Sequence, residues 1–281
     1  MKRLLTAAFA LLMTQTAIAG VKIEHWVSPS GARVHFVESR VLPMLDIQVD
    51  FAAGSMFDPE GKSGLAALTR AGLDLGAGKF DETAIAEQMA DIGANLGGSA
   101  DTDRASISLR TLSAKDKREP ALAILKSVLH APLFDAAIFE REKARTIASL
   151  KEAMTRPDSI AGKAFWAAMY PNHPYGRQAT PESVAALSRD DLTAFHQSWL
   201  RPEKLSIFVV SDLPLSDLMP QIEQRFGTWQ APGSAAPDKP INVTATAPDM
   251  PRIVLINRPD SPQSVILAGQ VLPLNGTDEL L

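Results

Sequence analysis

A helix can hold a divalent metal ion with two histidines spaced i and i+4 on one face, and a glutamate at i+3 can then activate a metal-bound water. The stretch Gly64-Leu65-Ala66-Ala67-Leu68-Thr69-Arg70-Ala71 has a helical pattern and contains no histidine, cysteine or carboxylate. Ala67 and Ala71 stand at i and i+4 without a ligand atom. Arg70 stands at i+3 with a guanidinium that stays charged at any working pH, repels a cation and cannot act as a base. Two roles remain open for Arg70: a solvated helix residue, or a fixed positive charge that receives a carboxylate.

The other reactive residues offer no substitute. His25, His35, His130, His173 and His196 are the histidines of the chain, and none has a second imidazole at ligand spacing. His173 and Tyr175 share a loop and invite a catalytic reading, but Pro171, Pro174 and Gly176 favour a turn whose aromatic rings pack on the domain. His196 falls on a predicted helix and reads as a surface or core-edge residue. Glu140 and Glu142, at i and i+2, project from different helical faces and read as a solvated surface rather than an acid–base pair. With no cysteine, disulfides, thiol catalysis and thiolate metal sites are excluded.

Periodicity supplies the elements that position these residues. Val21 to Val27 and Arg33 to Glu38 flank Pro29-Ser30-Gly31 and predict a hairpin, and Met44 to Phe51 alternates as a third strand. Helical patterns run over 62–75 and 81–92, the latter with Asp81 as N-cap. Gly93 to Gly98 breaks the pattern before an alternating strand over 104–112. Helices follow at 115–130, 135–154 and 159–169, bounded by Pro132 and Pro157, then at 188–199 and 215–226 around an apolar strand at 205–211. The segment 230–251 is rich in Pro, Ala, Gly and Asp and reads as a linker, after which 252–257 and 263–272 read as a new strand pair.

Composition bounds the function classes. The 281 residues are 46% hydrophobic and 21% charged, with room for one large or two medium domains. A net charge of −4 leaves no footprint for nucleic acid or an anionic membrane. Lys2 and Arg3, the apolar run from Leu4 to Met13 and the small-x-small Ala17-Ile18-Ala19 predict a signal peptide over 1–19 with Gly20 as the new N-terminus. The expected product is exported, periplasmic and free of the membrane once cleaved, since the apolar run is short for a mature anchor.

Phe51-Ala-Ala-Gly-Ser-Met-Phe-Asp58, followed by Lys62 to Ala71, resembles the segment where pitrilysin-type zinc peptidases carry an inverted His-x-x-Glu-His motif. That group, peptidase family M16, includes pitrilysin, insulinase and mitochondrial processing peptidase. On this match Ala67 and Ala71 occupy the histidine positions and Arg70 the glutamate position. The family's third ligand is a glutamate in a later helix. Glu140-Arg141-Glu142-Lys143 matches the start of that helix and Ile147-Ala148-Ser149 its end, where both candidate carboxylates are missing. Ile92 to Asn95 with Asp103-Arg104, Tyr170 to Gly176, and Phe195 to Trp199 with Phe208-Val209-Val210 carry the resemblance along the chain; Ser211-Asp212 departs from the usual Gly-Asp.

The resemblance implies an α+β fold: a metallopeptidase-like domain at 20–230 with a mixed, mostly antiparallel sheet covered on one face by helices. A linker at 231–250 and the first strands of a second similar domain at 251–281 would follow, making the chain part of a longer protein. It further implies a non-catalytic subunit of an exported zinc-dependent peptidase, with no catalytic residue, metal ligand or cofactor of its own at Ala67, Arg70, Ala71 or Ser149. Zinc is then expected in a partner with the intact motif, and the two would enclose an extended peptide. Arg104, Ser106 and Ser108, with Arg70, are candidate peptide-binding residues, because the family's corresponding strand region borders the chamber and can pair with substrate through main-chain hydrogen bonds. The alternative is a stand-alone peptide-binding or scaffold protein of the same fold.

Overall fold

The computed structural model describes residues 21–233 and 252–271. Six strands form its central sheet: β1 Glu24–Val27, β2 Arg33–Glu38, β3 Met44–Phe51, β6 Asn95–Gly97, β7 Ala105–Leu112 and β8 Leu205–Ser211. Their order is β1-β2-β8-β3-β7-β6, and every neighbouring pair is antiparallel except β2 with β8. A small ribbon pairs β4 Gly76–Ala77 with β5 Phe80–Asp81.

Strand alternation decides which face is covered. Leu45, Ile47, Val49 and Phe51 of β3, Ala105, Ile107 and Leu109 of β7, and Leu205, Ile207 and Val209 of β8 are buried on one side. Period-two side chains put Gln48, Ser108, Arg110, Phe208 and Val210 on the other, where they are exposed. The buried side joins one core with the helices α1 Leu65–Gly72, α2 Glu82–Asp91, α3 Lys115–His130, α4 Ala136–Ala153, α6 Pro181–Ala185, α7 Arg189–Trp199 and α8 Leu215–Ile222. The remaining helix, α5 Pro157–Met169, has no buried residue.

Helix starts follow the local chemistry. Asp81 accepts from the Ala84 amide and Asp135 from the amides of Ala137 and Ile138, so each satisfies donors that the first turn leaves over. Pro157 opens α5, where its missing N–H costs nothing. Reciprocal capping boxes start α6 (Thr180 with Ser183) and α7 (Ser188 with Asp191).

Three expectations need correction. The helix predicted through Phe226 is α-helical only to Ile222 and continues as a π turn over Glu223–Gly227. Glu223 there turns back to the β1–β2 hairpin, accepting from Trp26 Nε1 and Ser28 Oγ, each at 2.5 Å. The strand pair predicted over 252–257 and 263–272 is not formed: 252–271 carries neither helix nor strand, and Ile253, Leu255 and Ile266 are exposed. Part of the segment lies instead against the region of α5, where Gly269 stands close to the Phe165 ring and Arg258 Nη2 donates to the Thr155 carbonyl at 3.2 Å. Finally, β6 lies within the stretch read as a break. The predicted signal peptide at 1–19, most of the linker at 231–250, and residues from Leu272 onward lie outside the described residues.

Glu223 supplies the acceptor that ties the end of the domain to its first hairpin. Glu223→Ala is expected to lower the unfolding free energy by about 1–3 kcal/mol in a urea titration, because buried Ser28 Oγ and half-buried Trp26 Nε1 lose their partner. An unchanged midpoint would show that the tie contributes nothing.

Candidate functional site

The frame of α1 is fully built. Asp58, itself buried, accepts from the amides of Gly64 at 2.7 Å and Ala66 at 2.8 Å and so caps the helix from outside its sequence. Burial raises its carboxyl above the ordinary value, against the opposing pull of the Ala66, Gly64 and Leu65 amides and of Arg177. Gly64 enters the helix at φ +103°, with Val184 and Ala179 at 3.0 and 3.2 Å from where a Cβ would stand. That left-handed, crowded position suits only glycine. An ion pair between Lys62 and Asp191 fastens the entry to α7.

Along this frame the matched positions differ in depth. Ala67 is exposed and Ala71 half-buried, whereas Arg70 is 8% exposed. Its Nε donates to the Ser106 carbonyl at 3.1 Å and its Nη1 pairs with Asp74 at 3.3 Å, while Nη2 is sealed off without a partner. Gly98 makes room for it: a Cβ there would come within 2.7 Å of Nη2 and 2.0 Å of the Ser106 oxygen. Arg70 is therefore an interior residue lodged under the β6–β7 hairpin and not a solvated one. Ser149, with Ala148, is exposed on α4.

These residues do not fit zinc. Two alanines and a serine supply no imidazole or carboxylate, and the guanidinium adds a positive charge where the metal would bring its own. Among the described residues no group of three or more His, Cys, Asp or Glu is placed to hold a metal ion.

Of the candidate peptide-binding residues, Ser106 and Ser108 lie on β7, Arg104 just before it and Arg70 on α1. Arg104 reaches Asp50 at 3.4 Å and Asp101 at 3.8 Å, and Ser106 Oγ lies 3.3 Å from both the carbonyl and the hydroxyl of Ser99. Ser108 lines a shallow basin of about 450 Å³ on the open face of the sheet, with Gln48, Asn95, Phe208 and the Arg110–Asp46 pair at 2.6 and 3.1 Å. Arg70 lies under the sheet edge and outside this basin. The strand over 104–112 was expected to offer its main chain to a peptide. It cannot, because β7 is bordered by β3 and β6 on its two sides. The edge on this side of the sheet belongs to β6, whose three residues between glycine-rich turns give no strand signal.

The structure also places the histidines. His25 and His35 face each other across β1 and β2, their rings stacked at 6.5 Å, and His35 stacks on Phe208 at 5.1 Å. Cross-strand register, not helical spacing, makes that pair, so helical counting misses it. Tyr175 donates to Asp103 at 2.5 Å within a ring cluster with Tyr170 and His173, as expected of a packed turn. Burial, then the Asp103 contact, pushes the phenol up to about 12. His196 is a core residue, its Nε2 2.9 Å from the Leu129 carbonyl. Glu140 is exposed, while Glu142 is held by Arg141 and Arg145 at 2.9 and 3.6 Å.

Comparison with known families places this geometry. The model of Insulinase (Peptidase family M16) matches residues 35–181, and that of Peptidase M16 inactive domain matches residues 186–280. The chain belongs to peptidase family M16. A non-peptidase homolog of Helicobacter pylori, YmxG, is 23% identical over 198 residues, covering 70% of this chain and 45% of that protein. The crystal structure of a peptidase M16 inactive domain from Pseudomonas fluorescens is 33% identical with a TM-score of 0.75, covering 81% of this chain and 55% of the other. A protease from Helicobacter pylori shares the fold at 16% identity and a TM-score of 0.71, with 81% and 54% covered. The chain thus spans about half the length of these M16 relatives. The boundary between the two family matches falls inside the first domain, because residues 205–211 form the strand that lies between β2 and β3.

Two measurements follow. Elemental analysis of the purified protein after dialysis is expected to find no stoichiometric zinc, and about one tightly held zinc per chain would overturn the reading of α1. Arg70→Glu sets a carboxylate against the Ser106 carbonyl and Asp74 and is expected to cost about 3–5 kcal/mol in urea unfolding, with Arg70→Met costing less. Equal losses in the two variants would mean that the charge of Arg70 plays no part in holding the helix.

Proposed function

We propose that this chain is part of a non-catalytic subunit of an exported, zinc-dependent peptidase, forming one wall of a substrate chamber whose other wall is an M16 partner with an intact His-x-x-Glu-His. The observation that carries the reading is the contrast within α1. Its cap, glycine entry and anchoring ion pair are complete, while Ala67, Arg70 and Ala71 leave it without chemistry. A wall needs the shape of this helix and none of its ligands. The name of the YmxG relative, a non-peptidase homolog, supports the same direction.

In this reading zinc resides in the partner and an extended peptide lies along the free edge of β6, with Ser108 opposite Gly97 on the neighbouring strand, Ser106 further along that strand and Arg104 just before it. Main-chain pairing at an edge gives affinity with little demand on sequence. The exported, periplasmic location rests on Lys2, Arg3, the apolar run and Ala17-Ile18-Ala19.

The test is peptide cleavage by a motif-bearing M16 partner encoded nearby, by the full-length form of this protein, and by both together. Cleavage is expected only in the mixture, with a heterodimer that survives moderate salt, since obligate interfaces bury on the order of 2,000 Å² or more. Full activity from the partner alone would refute the subunit reading and favour a stand-alone peptide-binding protein.

A further inference from the structure

His130 and Trp229 meet where the first domain ends. His130 is the last residue of α3 and Trp229 follows the π turn; their rings stack at 4.3 Å with planes 16° apart. Phe226 meets the same imidazole edge-on at 6.4 Å, and Phe51 of β3 meets the indole edge-on at 6.2 Å. Phe51, Phe226 and Trp229 are all buried, and the imidazole Nε2 is sealed from solvent without a hydrogen-bond partner. A protonated imidazole has two donors to satisfy, and nothing around Nε2 accepts.

The charges near the ring make protonation harder still. Lys126, one turn back on α3, and His196 of α7 both oppose a positive charge on it. From the π turn, Glu223 is committed to Trp26 and Ser28, and Arg225 to Glu119. Phe226 and Trp229 border the half-buried ring, the first edge-on and the second face to face.

We propose that the His130–Trp229 stack is a proton-operated catch: neutral His130 holds the indole in the core, and protonation expels it and loosens the exit of the first domain. Trp229 is the last buried residue before Gln230. Beyond it, Arg201 keeps hold of the Pro232 and Gly233 carbonyls at 2.8 and 3.3 Å. The catch therefore opens the short span between the Glu223 and Arg201 anchors and leaves the sheet intact. Burial first, then Lys126 and His196, push the closed imidazole down to about 4, while a solvated one titrates near 6.5. The open form binds the proton more tightly, so closure is at full strength above about pH 6.5 and weakens as pH falls toward 4.

The test is NMR of the whole chain from pH 7.5 to 4, following the His130 ring C–H and the Trp229 indole N–H, the latter assigned with Trp229→Phe. His130 is expected to titrate well below 6.5 and the Trp229 indole to shift with the same midpoint, while the Trp199 indole stays in place. A His130 midpoint at 6.5 or above, or a Trp229 indole that does not follow it, overturns the catch. His130→Phe keeps a stacked ring that cannot take a proton, and its Trp229 indole is expected to stay fixed through this range; a shift of wild-type size overturns the proposal.

Discussion

A guanidinium taken out of water is the constraint around which the region of α1 is arranged. Arg70 cannot neutralise itself, so its burial requires acceptors, and the Ser106 carbonyl and Asp74 supply them. The first of these bonds joins α1 to the end of β7, and the second stays within the helix as an i,i+4 pair. Through Ser106 the same group supports the hairpin that carries β6, with Gly98 yielding the space for it. A single charge thus fills the interior beside α1 and props the β6 edge of the sheet.

The remaining supports of α1 do not depend on that charge. Asp58 closes its N-terminus, Gly64 sets the entry, and Lys62 reaches across to α7. The start of the helix is thus held by a carboxylate and a turn that lie outside the stretch from Ala67 to Ala71. The exposed Ala67 and Ser149 are then neutral positions for the fold, while position 70 is not.

What the sequence makes legible follows the range of the interaction. Residue types settle the missing ligands at Ala67, Ala71 and Ser149, and local caps such as Asp81 and Asp135 set helix starts to within a residue. The alternating strands β3 and β7 and the apolar run of β8 are legible for the same reason. Depth is not: the sequence places Arg70 on a helix face, but only packing turns its side chain inward. Register is not either, and so the His25–His35 pair and the edge position of β6 emerge only when the strands are laid side by side. The segment 252–271 shows the converse case, where an apolar stretch that reads as strand carries none.

The place of β8 sets the order in which this domain can be completed. Residues 205–211 lie between β2 and β3, so the middle of the sheet is the last of its strands to be synthesised. Until it arrives, β2 and β3 each present an unpaired edge flanked by apolar side chains, and their only bridge is separated from them by more than 150 residues. Such long-range closure is entropically slow, and open edges of this kind are sites of misassociation. A chain with this topology benefits from being held unfolded until β8 is available, and any truncation before residue 211 removes the centre of the sheet rather than its rim.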